Sequence, residues 1–293
     1  LFMASGAAGA LGHALRAVTE PGDEIIVFAP YFPEYRPYTQ GAGLRLSVVP
    51  ADVDSFQINF RALEERLNPA VTALLINSPN NPSGIVLSSE TLTQLAALLE
   101  EKQRQFGHPI YLISDEPYRE LLFTGTEETY PARFYHNTIT CYSFSKSLSL
   151  PGARIGYLAV NPKAEQAMTI AEVCPQISRT IGCNGTSTLM QLTVGRCADL
   201  TSQLEIYERN KDRLFSALTE YGFSCVEPGG SFYMFPRSLE EDDIAFCKKA
   251  QELDLLLVPG SGFGAPNFVR WSYATSMENI KEGMDRLEKF LAG

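Results

Sequence analysis

The chain has 293 residues, 45% hydrophobic and 20% charged, proportions that exclude general disorder and leave room for two domains. Its 24 basic and 34 acidic residues give a formal charge of −10, and no Lys/Arg-dense segment offers the basic face that a nucleic acid or anionic membrane needs. No apolar run reaches the roughly 20 residues of a membrane span, and six scattered cysteines without a Cys-x-x-Cys pair fit reduced thiols, so a soluble cytoplasmic protein is expected.

The chain opens at Leu1 in what reads as the inside of a domain, and an upstream segment is expected to be missing. Ser5-Gly6-Ala7-Ala8-Gly9 opens a helix predicted to run to about Thr19 and to stop at Pro21-Gly22. Small residues at a helix start leave N–H groups uncovered at the positive end of the dipole, where an anion can sit. A closely packed helix end is the competing reading. Short apolar runs then predict strands over 24–29, 45–49, 73–77, 110–114, 138–142 and 155–160. Between them, Leu92, Leu95, Ala96 and Leu99 form the stripe of a helix over 88–103, with Ser88 as its cap. Apolar strands alternating with helices predict an α/β fold, a mostly parallel sheet in three layers. After about residue 200 the pattern changes. Leu204, Tyr207, Leu214 and Leu218 mark a long helix interrupted by Lys211, and short strands are expected near 223–226, 232–235, 255–258 and 268–272. Helices are expected around 243–253 and 276–291, so a large domain over 1–200 and a smaller α+β domain over 201–293 are predicted.

Four segments could carry chemistry. Ser143-Phe144-Ser145-Lys146 follows an apolar strand, at the edge where open α/β sheets place ligands. A lysine partly desolvated there loses pKa and becomes a usable amine, whereas most lysines are solvated surface charges. Arg154, in Gly152-Ala153-Arg154-Ile155-Gly156, offers a planar fork for a phosphate. A charge-assisted bond of roughly 1.5–3 kcal/mol outweighs the roughly 0.3–1 kcal/mol of a helix terminus, so Arg154 is the expected anchor and the helix start its cradle. Asp115, in Ser114-Asp115-Glu116-Pro117-Tyr118, either caps a turn or faces a heteroaromatic nitrogen, with Tyr118 as a phenol donor. Asn81, in Asn80-Asn81-Pro82, is turn chemistry by composition, but it closes an apolar strand and could point at the same crevice. Gly260-Ser261-Gly262-Phe263-Gly264 imitates a dinucleotide loop, but Pro266 and a strand follow it, so no helix start is there to bind a pyrophosphate. His13, His108 and His136 have no metal-ligand spacing.

Taken in order, Asn81-Pro82, Asp115-x-x-Tyr118, Ser143-x-Ser145-Lys146 and Gly152-x-Arg154-x-Gly156 resemble the class I/II aminotransferases, fold type I enzymes that use pyridoxal 5′-phosphate. The resemblance extends from Gly6-Ala7-Ala8 to Val269-Arg270-Trp271-Ser272. It implies a Schiff base between Lys146 and the cofactor, with Lys146 shuttling a proton during catalysis. Asp115 would pair with the pyridinium nitrogen, Tyr118 and Asn81 with the ring's phenolic oxygen, and Phe32, or either of its neighbours, would stack on the ring. Ser143, Ser145, Arg154 and the backbone of Gly6, Ala7 and Ala8 would hold the phosphate. Arg270, with Asn81, would bind the substrate's α-carboxylate. Aromatic lining from Tyr31 or Tyr35 is also suggested. The resemblance further implies amino transfer between an L-amino acid and a 2-oxo acid through a carbanion, in a homodimer. A lyase or cyclase of the same fold, or an aminotransferase-like sensor domain of a transcription regulator, are the alternatives.

Overall fold

The computed structural model describes residues 1–292. A seven-stranded sheet is built from β1 (Phe2–Ala4), β2 (Glu24–Phe28), β3 (Arg45–Val49), β4 (Val71–Asn77), β5 (Tyr111–Asp115), β6 (Thr138–Ser143) and β7 (Gly156–Val160). Their spatial order is β1-β7-β6-β5-β4-β2-β3. From β3 across to β6 every pairing is parallel, whereas β7 runs antiparallel to both β6 and β1. Side chains alternate between the two sheet faces, and both faces are apolar. Ile25, Val27, Ala73, Leu75 and Ile113 pack into one core with Leu11, Ala14 and Leu15. Ile26, Leu74, Ile76 and Leu112 pack into another with Leu92, Leu95 and Leu99. The first core is covered by helix α1 (Gly6–Val18), the second by the helix Ser89–Phe106, whose cap Ser88 accepts the Thr91 N–H. A sheet buried on both sides explains why these strands read as continuous apolar runs.

The antiparallel pair brings an unusual set of ends together. The C-terminal ends of β4, β5 and β6 lie on one edge of the sheet, with Asn77 beside Asp115 and Asp115 beside Cys141. Because β7 is reversed, its first residue Gly156 lies beside both Ser143 and Ala4. The start of α1 and the Arg154 turn therefore reach the same edge as Asp115 and Lys146.

One strand of the sheet is not among those expected from sequence, and one expected strand does not form. The opening residues form strand β1 before the helix begins, and three residues on an edge are too few to show a period. Residues 223–226 form no strand. The Arg237 N–H donates to the Ser224 carbonyl at 2.8 Å, but no ladder is built around that bond. The second, antiparallel sheet consists of β8 (Tyr233–Met234), β9 (Val258–Pro259) and β10 (Val269–Ser272), ordered β8-β10-β9. Helices Leu204–Glu220, Asp243–Gln251 and Met277–Ala292 pack with it around Leu218, Phe246, Trp271, Tyr273 and Leu287. Tyr118, Leu121 and Phe123, just after β5, belong to that core as well. Lys211 interrupts the apolar stripe of its helix because its ammonium pairs with Glu227 at 2.7 Å and Asp212 at 2.9 Å.

Candidate active site

A cleft of about 420 Å3 opens along the shared edge of the large sheet, a size suited to a small organic ligand. Its walls include Ala7, Ala8, Phe32, Asn81, Asp115, Tyr118, Ser143, Ser145, Lys146, Arg154 and Arg270. These residues, each singled out from the sequence, therefore converge although they are scattered from Ala7 to Arg270. Gly6 lies directly behind the wall, because a side chain there would come within 2.7 Å of the Arg154 guanidinium.

Asp115 ends β5 and is 5% exposed. Its Oδ2 accepts a hydrogen bond from the Tyr35 hydroxyl at 2.7 Å, while its Oδ1 is buried and has no partner. The side chain does not cap the following turn. Burial pushes the Asp115 carboxyl up to about 7, against the pull of the Tyr35 hydrogen bond, and nearby Glu116 raises it further. A buried carboxylate with one empty oxygen is an unstable arrangement unless a cationic N–H completes it.

Lys146 stands on a short helical turn, Phe144–Ser147, directly after β6. Burial lowers its pKa, and Arg154 and Arg270 lower it further by like-charge repulsion. Its ammonium lies 5.0 Å from the centre of the Phe232 ring and 5.8 Å from that of Tyr118. Tyr118 is itself buried, and burial together with the hydrogen-bonded Tyr233 phenol raises its hydroxyl well above the ordinary range.

At the other end of the cleft, Ser143 Oγ accepts from the Ser145 N–H at 3.1 Å and donates to Ser145 Oγ at 2.7 Å. Arg154 sits in the left-handed region, at φ 49°, and is exposed. It donates to the Pro151 carbonyl at 2.9 Å and the Ser5 carbonyl at 3.3 Å, which holds the guanidinium beside the start of α1. Gly6, at φ 74°, and Gly156 make this approach possible. A side chain at Gly156 would meet the Tyr142 carbonyl at 2.2 Å and the Gly6 backbone at 2.9 Å. Arg270 forms the third wall, donating to Asn81 Oδ1 at 2.9 Å.

These parts fit pyridoxal 5′-phosphate on the structure's own terms. The unpaired Asp115 Oδ1 suits a protonated ring nitrogen, Lys146 offers an easily deprotonated amine, and Arg154 with the α1 start suits a phosphate.

Residues 1–287 match the family described as aminotransferase class I and II. The chain belongs to this family. It is 36% identical to the aspartate aminotransferase of Thermotoga maritima, over 99% of this chain and 75% of that protein. It is 31% identical to a probable N-acetyl-LL-diaminopimelate aminotransferase of Bacillus subtilis, over 99% of this chain and 73% of that protein. Among solved structures, an amino transferase from Eubacterium rectale superposes with a TM-score of 0.96 at 45% identity, covering 99% of this chain and 73% of the other. The Thermotoga maritima aspartate aminotransferase superposes with a TM-score of 0.89 at 34% identity, covering 99% and 76%. The chain is thus a pyridoxal 5′-phosphate-dependent transaminase of fold type I, acting on amino acids and 2-oxo acids.

The geometry of the cleft also sorts the remaining residues. Neither Tyr31 nor Tyr35 borders this cleft, contrary to the expectation from sequence. Tyr35 is buried beneath Asp115, and Tyr31 accepts a hydrogen bond from Arg36 at 2.7 Å. Tyr38, one helical turn beyond Tyr35, lines the cleft instead, as does Tyr233. Neither Tyr38 nor Tyr233 lies in a motif that could have marked it. The 260–264 segment is a tight turn before β10, with no helix start for a dinucleotide. Among the described residues no metal-binding cluster occurs, and His13 is a core residue bonded to Gly9 O and Ser178 Oγ.

Proposed function

We propose that Lys146 is the catalytic amine and proton carrier of the transaminase reaction, Asp115 its electrostatic partner, and Arg270 the group that grips the substrate. The observation carrying this reading is the convergence of the unpaired Asp115 Oδ1, the Lys146 amine and the Arg270 guanidinium in one cleft. When bound, pyridoxal 5′-phosphate supplies an aldehyde that condenses with amines and a ring that accepts electron density from the substrate's Cα. Phe32 would stack on that ring, Tyr118 and Asn81 would bond its phenolic oxygen, and Asp115 would keep its nitrogen protonated. Ser143, Ser145, Arg154 and the backbone of Gly6, Ala7 and Ala8 would share the phosphate. Burial and the two neighbouring guanidiniums favour neutral Lys146 Nζ, the form able to take a proton from Cα and return it. Tyr118, packed into the core of the smaller antiparallel sheet, would keep water from that side of the reacting carbon.

The test is to mix purified protein with amino acids and a 2-oxo acid, following amino transfer together with release of pyruvate and ammonia. Amino transfer is expected. Pyruvate and ammonia without transfer would point to the lyase reading.

Residues 1–200 and 201–293 are proposed as the two domains, the first built on the large sheet and the second on the small antiparallel sheet, whose core also takes in Tyr118, Leu121 and Phe123. A homodimer is proposed because large apolar side chains stand exposed along one stretch, Met168, Leu189, Leu192 and Leu200 among them. A cytoplasmic location is supported by six cysteines that are all free among the described residues. No helix among those residues is long and apolar enough to cross a membrane.

A further inference from the structure

The Gly-Ser-Gly-Phe-Gly turn at 260–264 is fixed on three sides. The Gly260 N–H donates to the Phe268 carbonyl at 2.7 Å, and the Ala265 N–H closes the turn onto Gly260 O at 3.1 Å. Both the N–H and the hydroxyl of Ser261 donate at 2.7 Å to the buried carboxylate of Asp243, in the helix Asp243–Gln251. From the large sheet, the Tyr31 N–H donates to the Phe263 carbonyl at 3.0 Å. The packing leaves no slack. A side chain at Gly264 would come within 2.7 Å of the Tyr31 ring, and one at Gly260 within 2.3 Å of the Ala265 carbonyl.

What this turn presents is the Phe263 ring, buried with Phe235 and Phe268. The Arg270 guanidinium carbon lies 5.0 Å from the centre of that ring and 4.5 Å from the centre of the Tyr233 ring. One of its nitrogens is already committed to Asn81. The guanidinium is therefore oriented before any ligand arrives, by two aromatic rings and one amide oxygen. A planar fork binds a carboxylate through two parallel bonds only when its plane is correctly turned. Fixing that plane in advance removes a cost that binding would otherwise carry.

We propose that Phe263 is a positioning residue for substrate capture: held by the 260–264 turn, its ring orients Arg270 toward the substrate's carboxylate. This rests on the reading of Arg270 as the carboxylate clamp. Through the Tyr31–Phe263 bond, the turn also ties the clamp to the loop that carries Phe32. Capture of the carboxylate is thereby registered against the stacking residue.

The test uses the cofactor-loaded enzyme and three substitutions. Phe263→Leu keeps an apolar side chain but removes the ring. It should raise KM for the amino acid about five- to tenfold, the size of a partly desolvated cation–aromatic contact, with kcat within about twofold. The inhibition constant of propionate, a carboxylate without an amino group, should rise in parallel. Phe263→Tyr should restore both values, which a purely structural role in turn folding does not predict. Ser261→Ala, a milder loosening, should raise KM about two- to threefold and decides the matter if Phe263→Leu does not fold. Arg270→Ala separates the two readings. If it raises KM strongly while a folded Phe263→Leu protein, or Ser261→Ala where that one does not fold, leaves both constants unchanged, the role of the turn is overturned. If Arg270→Ala itself leaves KM unchanged, the clamp is overturned and the proposal with it.

Discussion

At one end of the cleft Asp115 is 5% exposed, joined to Tyr35 through one oxygen and unpaired at the other. At the opposite end Arg154 is exposed, shares its donors with two carbonyls, and stands beside a helix start and two serines. The first end concentrates its effect in one carboxyl whose energetics are set by burial. The second spreads its effect over several donors, of which the Arg154 guanidinium faces water and is weakened by solvent. Loss of a single group should therefore be severe near Asp115 and graded near Arg154. Lys146 lines the same cleft, with its pKa lowered by burial and by two arginines, Arg154 and Arg270.

Lys146→Ala is the largest expected break. Without the amine, the visible absorbance of lysine-bound cofactor should vanish, and kcat should fall by at least about 1,000-fold, the upper range for a positioned acid–base group. An unchanged band after reduction and dialysis would remove Lys146 from its role. Asp115→Ala comes next. Loss of the charge that holds the ring nitrogen protonated should cost about 100- to 1,000-fold in kcat, comparable to removing one preorganised electrostatic donor. A loss below tenfold would mean that the ring nitrogen is met elsewhere. The Arg154→Ala protein sharpens the comparison between the ends. A charge-assisted bond of roughly 1.5–3 kcal/mol corresponds to about a 10- to 100-fold weaker cofactor, measured by equilibrium dialysis. The amino-acid KM at saturating cofactor should change little. If Arg154→Ala proves as damaging to kcat as Asp115→Ala, the contrast between concentrated and distributed ends is wrong.

Much of this cleft was legible before any coordinates, and the reason is geometric. Asp115, Asn81 and Lys146 each lie at or just beyond the end of an apolar strand, and strand ends are where a parallel sheet gathers its ligands. Apolar runs mark those ends clearly, so the six predicted strands of the large sheet lie within two residues of the observed ones. The three-residue strand β1 was not legible, because no period shows over so short a stretch. Without that strand, the approach of the α1 start to Arg154 does not show in the sequence. Tyr35 and Phe263 were obscure for a different reason. Tyr35 meets Asp115 across 80 positions, and Phe263 meets Arg270 from a turn that is held by the distant Tyr31 N–H, and no local pattern records such contacts. Several of the groups proposed to meet the ligand announce themselves at strand ends. Groups that orient those groups appear only once the chain is packed.

Tyr35→Phe tests that distinction with the smallest expected effect. The Tyr35 hydroxyl stabilises the charged Asp115 carboxylate, so its removal should push the carboxyl higher than about 7. In the cofactor-free protein this has a definite sign. An aspartate raised from its ordinary value near 3.8 to about 7 is neutral in the fold but charged in the unfolded chain between those values. Stability contributed by Asp115 is therefore complete below about 4 and is lost as pH rises through 7. Thermal melts of cofactor-free protein should show this decline between pH 5 and pH 8, and Asp115→Asn should lack it. In Tyr35→Phe the decline should continue to higher pH. The gain in melting temperature on adding cofactor should be larger at pH 8 than at pH 6, because a protonated ring nitrogen then completes an otherwise unpaired charge. The kinetic loss should be only severalfold, since Asp115 keeps its place at the end of β5. If the melts of Tyr35→Phe and wild type share the same pH dependence, the hydrogen bond at 2.7 Å does not govern the Asp115 proton.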